Sequence, residues 1–171
     1  MPLPGDELLP RARGQWTNAI TIRARPADIW PWLVQLGCRR AGWYSYDGLD
    51  NGGVRSAPRI VPDLQHLEPG DLCPWTPGTH DGFVVREVER ERALVLAGDA
   101  GGLYQVTWSF ALEPIDEVHT RLLARARGAY DSRAVGLGLH LLGHPLHFAM
   151  QRRQLLTLKR RIEGFAAARR G

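Results

Sequence analysis

Two neighbouring segments in the second half of the chain do most to limit its fold. Leu103–Glu113 alternates, with Tyr104, Val106, Trp108, Phe110 and Leu112 on one side and Gln105, Thr107 and Ser109 on the other. After a turn over Pro114–Glu117, Val118–Arg127 alternates again, with Val118, Leu122, Ala124 and Ala126 opposite His119, Arg121, Arg125 and Arg127. A period of two makes a half-buried strand. Two such strands about a short turn make an antiparallel pair with one face on a core and one in water. Gly82–Glu89 and Ala93–Ala97 extend the pattern upstream into a meander, and Leu72–Trp75 reads as one more short strand. Trp16–Ala24 also alternates, and it places Asn18 among the apolar side chains Trp16, Ile20 and Ile22. A buried Asn must be hydrogen-bonded, so Asn18 is a network member or a cavity-lining group.

The helical signals lie at the two ends of this meander. Pro26 opens a segment to Leu36 in which Ile29, Trp30, Leu33 and Leu36 share a face and Gly37 supplies the stop. A short helix is expected around Tyr46–Asp50. From Pro145 onward Phe148, Leu155, Leu158, Ile162 and Phe165 mark one face of a long amphipathic helix. The same register takes in His144 and Gln151. Polar residues on a stripe that presses against a sheet are expected where a core is partly hollow. The predicted class is therefore α+β. At 171 residues the chain reads as one domain, 1–171, with residues 1–14 as an N-terminal arm.

Composition narrows the function classes. The net charge of +4 is spread along the chain, which argues against a dedicated nucleic-acid face. No apolar run is long enough to span a bilayer, so membrane insertion is not expected. The N-terminal stretch carries acids and prolines where a signal peptide needs a basic start and an apolar core, and a cytoplasmic location follows as the expectation. Cys38 and Cys73 are too few for a disulfide framework or a zinc knuckle.

The chemistry-bearing residues gather in Ala41–Asp47, AGWYSYD, and the stretch that follows it. Aromatic side chains alternate there with turn-forming and ionisable ones, the composition of a segment that covers the mouth of a pocket. No phosphate-binding glycine loop and no GxSxG elbow occur. His140, His144 and His147 have helical spacing, but Gly143 and Pro145 interrupt it, and no metal or other cofactor is predicted. What remains is an apolar cavity with a few polar groups. His144, His80, Tyr46 and Asp47 are the candidates for proton transfer. Asn18, Trp43, Tyr44, Tyr104, Trp108, Tyr130, Phe148 and Gln151 are the candidates for ligand contact.

The order of elements, together with PADIWPWLVQLG, GWYSYDGLDN, RIVPDLQHLEPGD and MQRRQLLTLKRRIE, resembles the SRPBCC or START-like superfamily. Within it the chain is similar to the bacterial polyketide cyclase/dehydrase-like subgroup. The resemblance runs from Trp16 to Phe165. It implies a helix-grip fold: a curved antiparallel β-sheet wrapped around a long C-terminal α-helix, with two short helices after the first strand and a hydrophobic cavity between sheet and helix. It brings no universal catalytic set. Two readings lead, a cofactor-independent cyclase, lyase or isomerase working by acid/base catalysis, and a non-catalytic carrier of a lipid or aromatic metabolite; a third sets the basic C-terminal helix on nucleic acid or a membrane surface. The expected partner in the first two is a hydrophobic small molecule, and the oligomeric state, monomer or homodimer, is undetermined.

Overall fold

A computed structural model describes residues 1–78, 81–99 and 101–169, and of residues 133, 139 and 140 the backbone alone. The elements in chain order are β1 (Gly14–Ile22), α1 (Pro26–Val34), α2 (Asp47–Asp50), β2 (Leu72–Pro74), β3 (Gly82–Glu89), β4 (Ala93–Asp99), β5 (Gln105–Pro114), β6 (Thr120–Ala129), α3 (Arg133–Gly138) and α4 (His144–Ala168). A π-helical turn, Leu139–Gly143, joins α3 to α4. The strands form one antiparallel sheet in the order β1-β6-β5-β4-β3-β2. This curved sheet packs against α4, with α1 and α2 after the first strand, which is the helix-grip arrangement.

The hairpin that constrains the fold is in place. Trp108 pairs with Ala126 and Phe110 with Ala124, so the apolar sides of β5 and β6 share one face. Against it α4 sets Leu155, Leu158, Ile162 and Ala166, all buried, at the spacing of one helical stripe. Trp32 and Leu33 of α1 complete this core, and Trp32 meets Phe165 edge-on with ring centroids 6.2 Å apart. Pro26 occupies the first turn of α1 as its fixed φ favours. Pro31 lies inside the helix, where its missing N–H removes a helical hydrogen bond. The helix ends at Val34, two residues before the expected Leu36.

One expectation for the sheet is corrected. The outer sides of β5 and β6, read as facing water, are partly covered by the N-terminal arm. Thr107, Ser109 and Arg125 are buried there, together with Leu3 and Leu9 of the arm. Arg125 donates to Asp6 at 2.6 Å, and Ser109 donates to the Pro4 carbonyl at 2.7 Å. Gly5 makes this approach possible. Its φ of 83° is left-handed, and a Cβ there would stand 2.4 Å from Val95 Cγ1.

Candidate functional site

A cavity of about 610 Å³ opens between the sheet and the first turns of α4. Its walls come from seven places. β1 supplies Trp16, β3 Phe83, β5 Val106 and Trp108, and β6 Ala126. The loop 43–50 supplies Trp43, Ser45, Leu49 and Asp50, and Trp75 enters from just after β2. α4 supplies His144, Leu146, His147, Met150, Gln151 and Gln154.

The aromatic rings are packed against one another. Trp43 and Trp108 stack with centroids 5.3 Å apart, and Phe83 touches Trp43, Trp75 and Trp108 at 5.4–5.8 Å. His144 lies over Trp16 at 4.3 Å, and His147 meets the edge of Trp108 at 5.9 Å. A polar chain ties helix to wall. The Trp108 indole N–H donates to Gln151 Oε1 at 2.9 Å, Gln151 donates to Gln154 Oε1 at 2.6 Å, and Gln154 donates to the Trp43 carbonyl at 2.9 Å. Two buried glutamines therefore satisfy each other and fix the tilt of the tryptophan wall.

The GWYSYD stretch bends at Tyr44, whose φ of 60° is left-handed, and the bend turns the Tyr44 side chain away from those of its neighbours. Trp43 and Ser45 go to the cavity, while Tyr44 goes to the core behind it, where it is buried, accepts a hydrogen bond from Gln35 and lies 5.2 Å under the Arg161 guanidinium. Burial pushes the Tyr44 phenol up to about 12. Asp47 does not reach the cavity. It accepts from Ser56 Oγ at 2.5 Å, and Ser56 accepts from the Tyr44 amide at 3.0 Å, so these residues lock the loop. Tyr46 is 44% exposed and carries the Arg153 guanidinium over its ring at 5.5 Å.

The other sequence candidates divide. Trp43, Tyr104, Trp108, His144 and Gln151 line the cavity. Asn18 and Phe148 stand outside it, in a small groove along the edge strand β1, with Phe148 half exposed. Tyr130 packs against Gly136 and under Arg13, away from the cavity lining. His80 lies outside the described residues.

Sequence reasoning did not single out Trp16, Trp75, Phe83, His147, Gln154 or Asp50 for the cavity. Asp50 is the most informative of these. It is 5% exposed, and both carboxylate oxygens are sealed from solvent without a hydrogen-bond partner. Burial raises its pKa to about 6, with the negative charge of Asp47 adding to the effect. The residue's own amide and the nearby Ser45 hydroxyl pull it back only in part, and neither completes a hydrogen bond to it, the hydroxyl donating to the Met150 carbonyl at 3.1 Å instead. Burial moves His147 the other way, lowering its pKa, and a charged His144 beside it would lower it further. No signal in the sequence separated the two acids: three residues apart on a one-turn helix they are neighbours, and only packing buries Asp50 while Asp47 stays at the loop's edge.

No protein-family model matches the chain, and no curated protein matches it. Solved structures do. A hypothetical protein from Helicobacter pylori superposes with a TM-score of 0.59 at 14% identity, covering 93% of this chain and 94% of the other. A protein from Chromobacterium violaceum gives 0.54 at 13% identity, covering 87% and 96%. The di-domain ARO/CYC BexL of the BE-7585A biosynthetic pathway gives 0.50 at 14% identity, covering 88% of this chain and 46% of that one. At these identities the likeness is one of fold, and it places the chain among helix-grip structures.

Proposed function

We propose that this protein, as one START-like domain with an N-terminal arm, binds a hydrophobic and largely planar small molecule between the sheet and α4. The observation that carries the reading is the cavity of about 610 Å³ walled by Trp16, Trp43, Trp75, Phe83, Tyr104 and Trp108. Its volume falls in the range that encloses most of a drug-sized ligand. Rings already held by neighbouring rings and by the Gln151–Gln154 chain accept a flat apolar molecule with little further ordering, which favours affinity. The resemblance to the polyketide cyclase-like subgroup and the fold shared with an ARO/CYC protein support the same ligand class.

A second reading, a cofactor-independent cyclase, lyase or isomerase, has one specific observation in its favour. Asp50 and His147 both line the cavity, and burial raises the carboxyl to about 6 and lowers the imidazole, which favours the neutral ring that can take a proton. The Asp50 oxygens meet the cavity only if the side chain turns, so binding stands first.

Native mass spectrometry of the purified protein, followed by denaturing extraction, tests the proposal. A hydrophobic molecule recovered at near one per chain supports it. A protein that holds no co-purified molecule and binds no added planar aromatic probe refutes it. Conversion of the recovered molecule on incubation with fresh protein, lost in Asp50→Asn, would move the weight to the second reading.

A further inference from the structure

The π-helical turn and the start of α4 depart from the usual surface of a helix. Leu142 is 76% exposed and Leu146 55%. Continuing in steps of three and four, the same exposed stripe passes through Ala149, Arg153, Leu156 and Arg160. Across the cavity mouth stand Leu49, 62% exposed, and Tyr46. Leu49 and Leu146 also line the cavity, so the apolar surface is continuous with its opening. Contiguous exposed apolar surface of this kind marks an interaction site more often than chance.

Charge tells what kind of partner fits. Between Asp131 and Glu163 the chain has no acidic residue, while Arg133, Arg152, Arg153, Lys159, Arg160 and Arg161 fall within it. Arg152 and Arg153 are exposed beside the leucines, and Arg153 lies over the Tyr46 ring. Of the acids next to the mouth, Asp47 is engaged by Ser56 and Asp50 is buried. A second copy docked by a twofold axis through this face would set like charges against each other. Leucines flanked by arginines and a tyrosine, with no acidic residue on the helix side of the mouth, suit the headgroup and acyl boundary of an anionic bilayer.

We propose that the exposed face of early α4, with Tyr46 and Leu49 across the cavity mouth, docks on anionic lipid surfaces. Docking there would let an apolar ligand pass between bilayer and cavity without crossing water. No described helix is long and apolar enough to cross a membrane, and the contact is with the surface.

The experiment is co-sedimentation of the full chain with phosphatidylcholine vesicles, with and without phosphatidylglycerol. It needs no knowledge of the cavity ligand, so its failure leaves the binding proposal standing. The wild type is expected to bind the anionic vesicles about tenfold or more tightly than the neutral ones, and less so at high salt. Leu142→Glu and Arg152→Glu alter exposed side chains outside the cavity lining, and each is expected to lower binding to anionic vesicles by about tenfold or more. Equal binding to both vesicles, or unchanged binding of both variants, overturns the proposal. So does a concentration-dependent dimer that Leu142→Glu dissociates while the wild type ignores vesicles.

Discussion

Asp50→Asn offers the sharpest test of how the cavity wall is charged. The wild-type carboxylate is buried without a hydrogen-bond partner, and its pKa rises from 3.8 to about 6 on folding. Between these values the folded protein holds a proton that the unfolded chain has lost, so stability falls as the pH rises through the window. Below about pH 4 the penalty is absent, and above about pH 7 it is complete. At 1.36 kcal/mol for each tenfold change the full penalty is about 3 kcal/mol. Asparagine has the same shape and no titration. Its own burial cost does not depend on pH and cancels when one pH is compared with another. The variant is therefore expected to gain about 3 kcal/mol on the wild type between about pH 4 and pH 8, or roughly 6–12 °C in Tm. Urea unfolding of both proteins at three pH values across the window measures this directly. Other titrating groups, His147 among them, are common to both proteins and drop out of the difference. A difference that stays flat with pH refutes the reasoning. A wild type that gains on the variant as pH rises would mean the carboxylate has a partner in the fold.

Three further outcomes follow from the packing. Phe110→Ala removes a fully buried ring at the centre of the sheet and should destabilise by about 3–5 kcal/mol in urea unfolding. His144→Ala should weaken binding of a planar aromatic probe more than it lowers Tm, because His144 lines the cavity and covers Trp16. A large fall in Tm with unchanged binding would assign it to the core instead. Asp6→Ala should cost about 1–3 kcal/mol, since it leaves the largely buried Arg125 guanidinium without its acid partner. Hydrogen exchange should show the loss as faster opening of the arm.

Local pattern was enough for the sheet and the long helix. Leu103–Glu113 and Val118–Arg127 carry their own period, and that period fixes which of their sides meets α4 whatever else surrounds them. It could not say what covers the opposite side. Arg125 and Ser109 look solvated in one dimension and are buried in three, because an arm of more than a hundred residues' separation closes over them. The candidate site was legible in the same uneven way. Trp108 and Gln151 were found because each sits at a definite place in a strong period. Tyr44 and Asp47 were read as site residues because they lie close to Trp43 in sequence, but the backbone bends at Tyr44 and turns into a helix at Asp47, so neighbours in the chain part in space.

The sequence by itself determined the α+β class, the antiparallel hairpin, the apolar stripe of the last helix and the presence of polar groups on that stripe. These follow from short-range periodicity, which the backbone geometry imposes on any chain. Only the tertiary structure decided that Trp16, Trp43, Trp75 and Trp108 close around one cavity, that Gln151 and Gln154 bond to Trp108 and to the Trp43 carbonyl from the last helix, and that Asp50 is the carboxylate buried in its wall. Those are relations between segments far apart in the chain, set by the curvature of the sheet and the path of α4, and no local pattern records them.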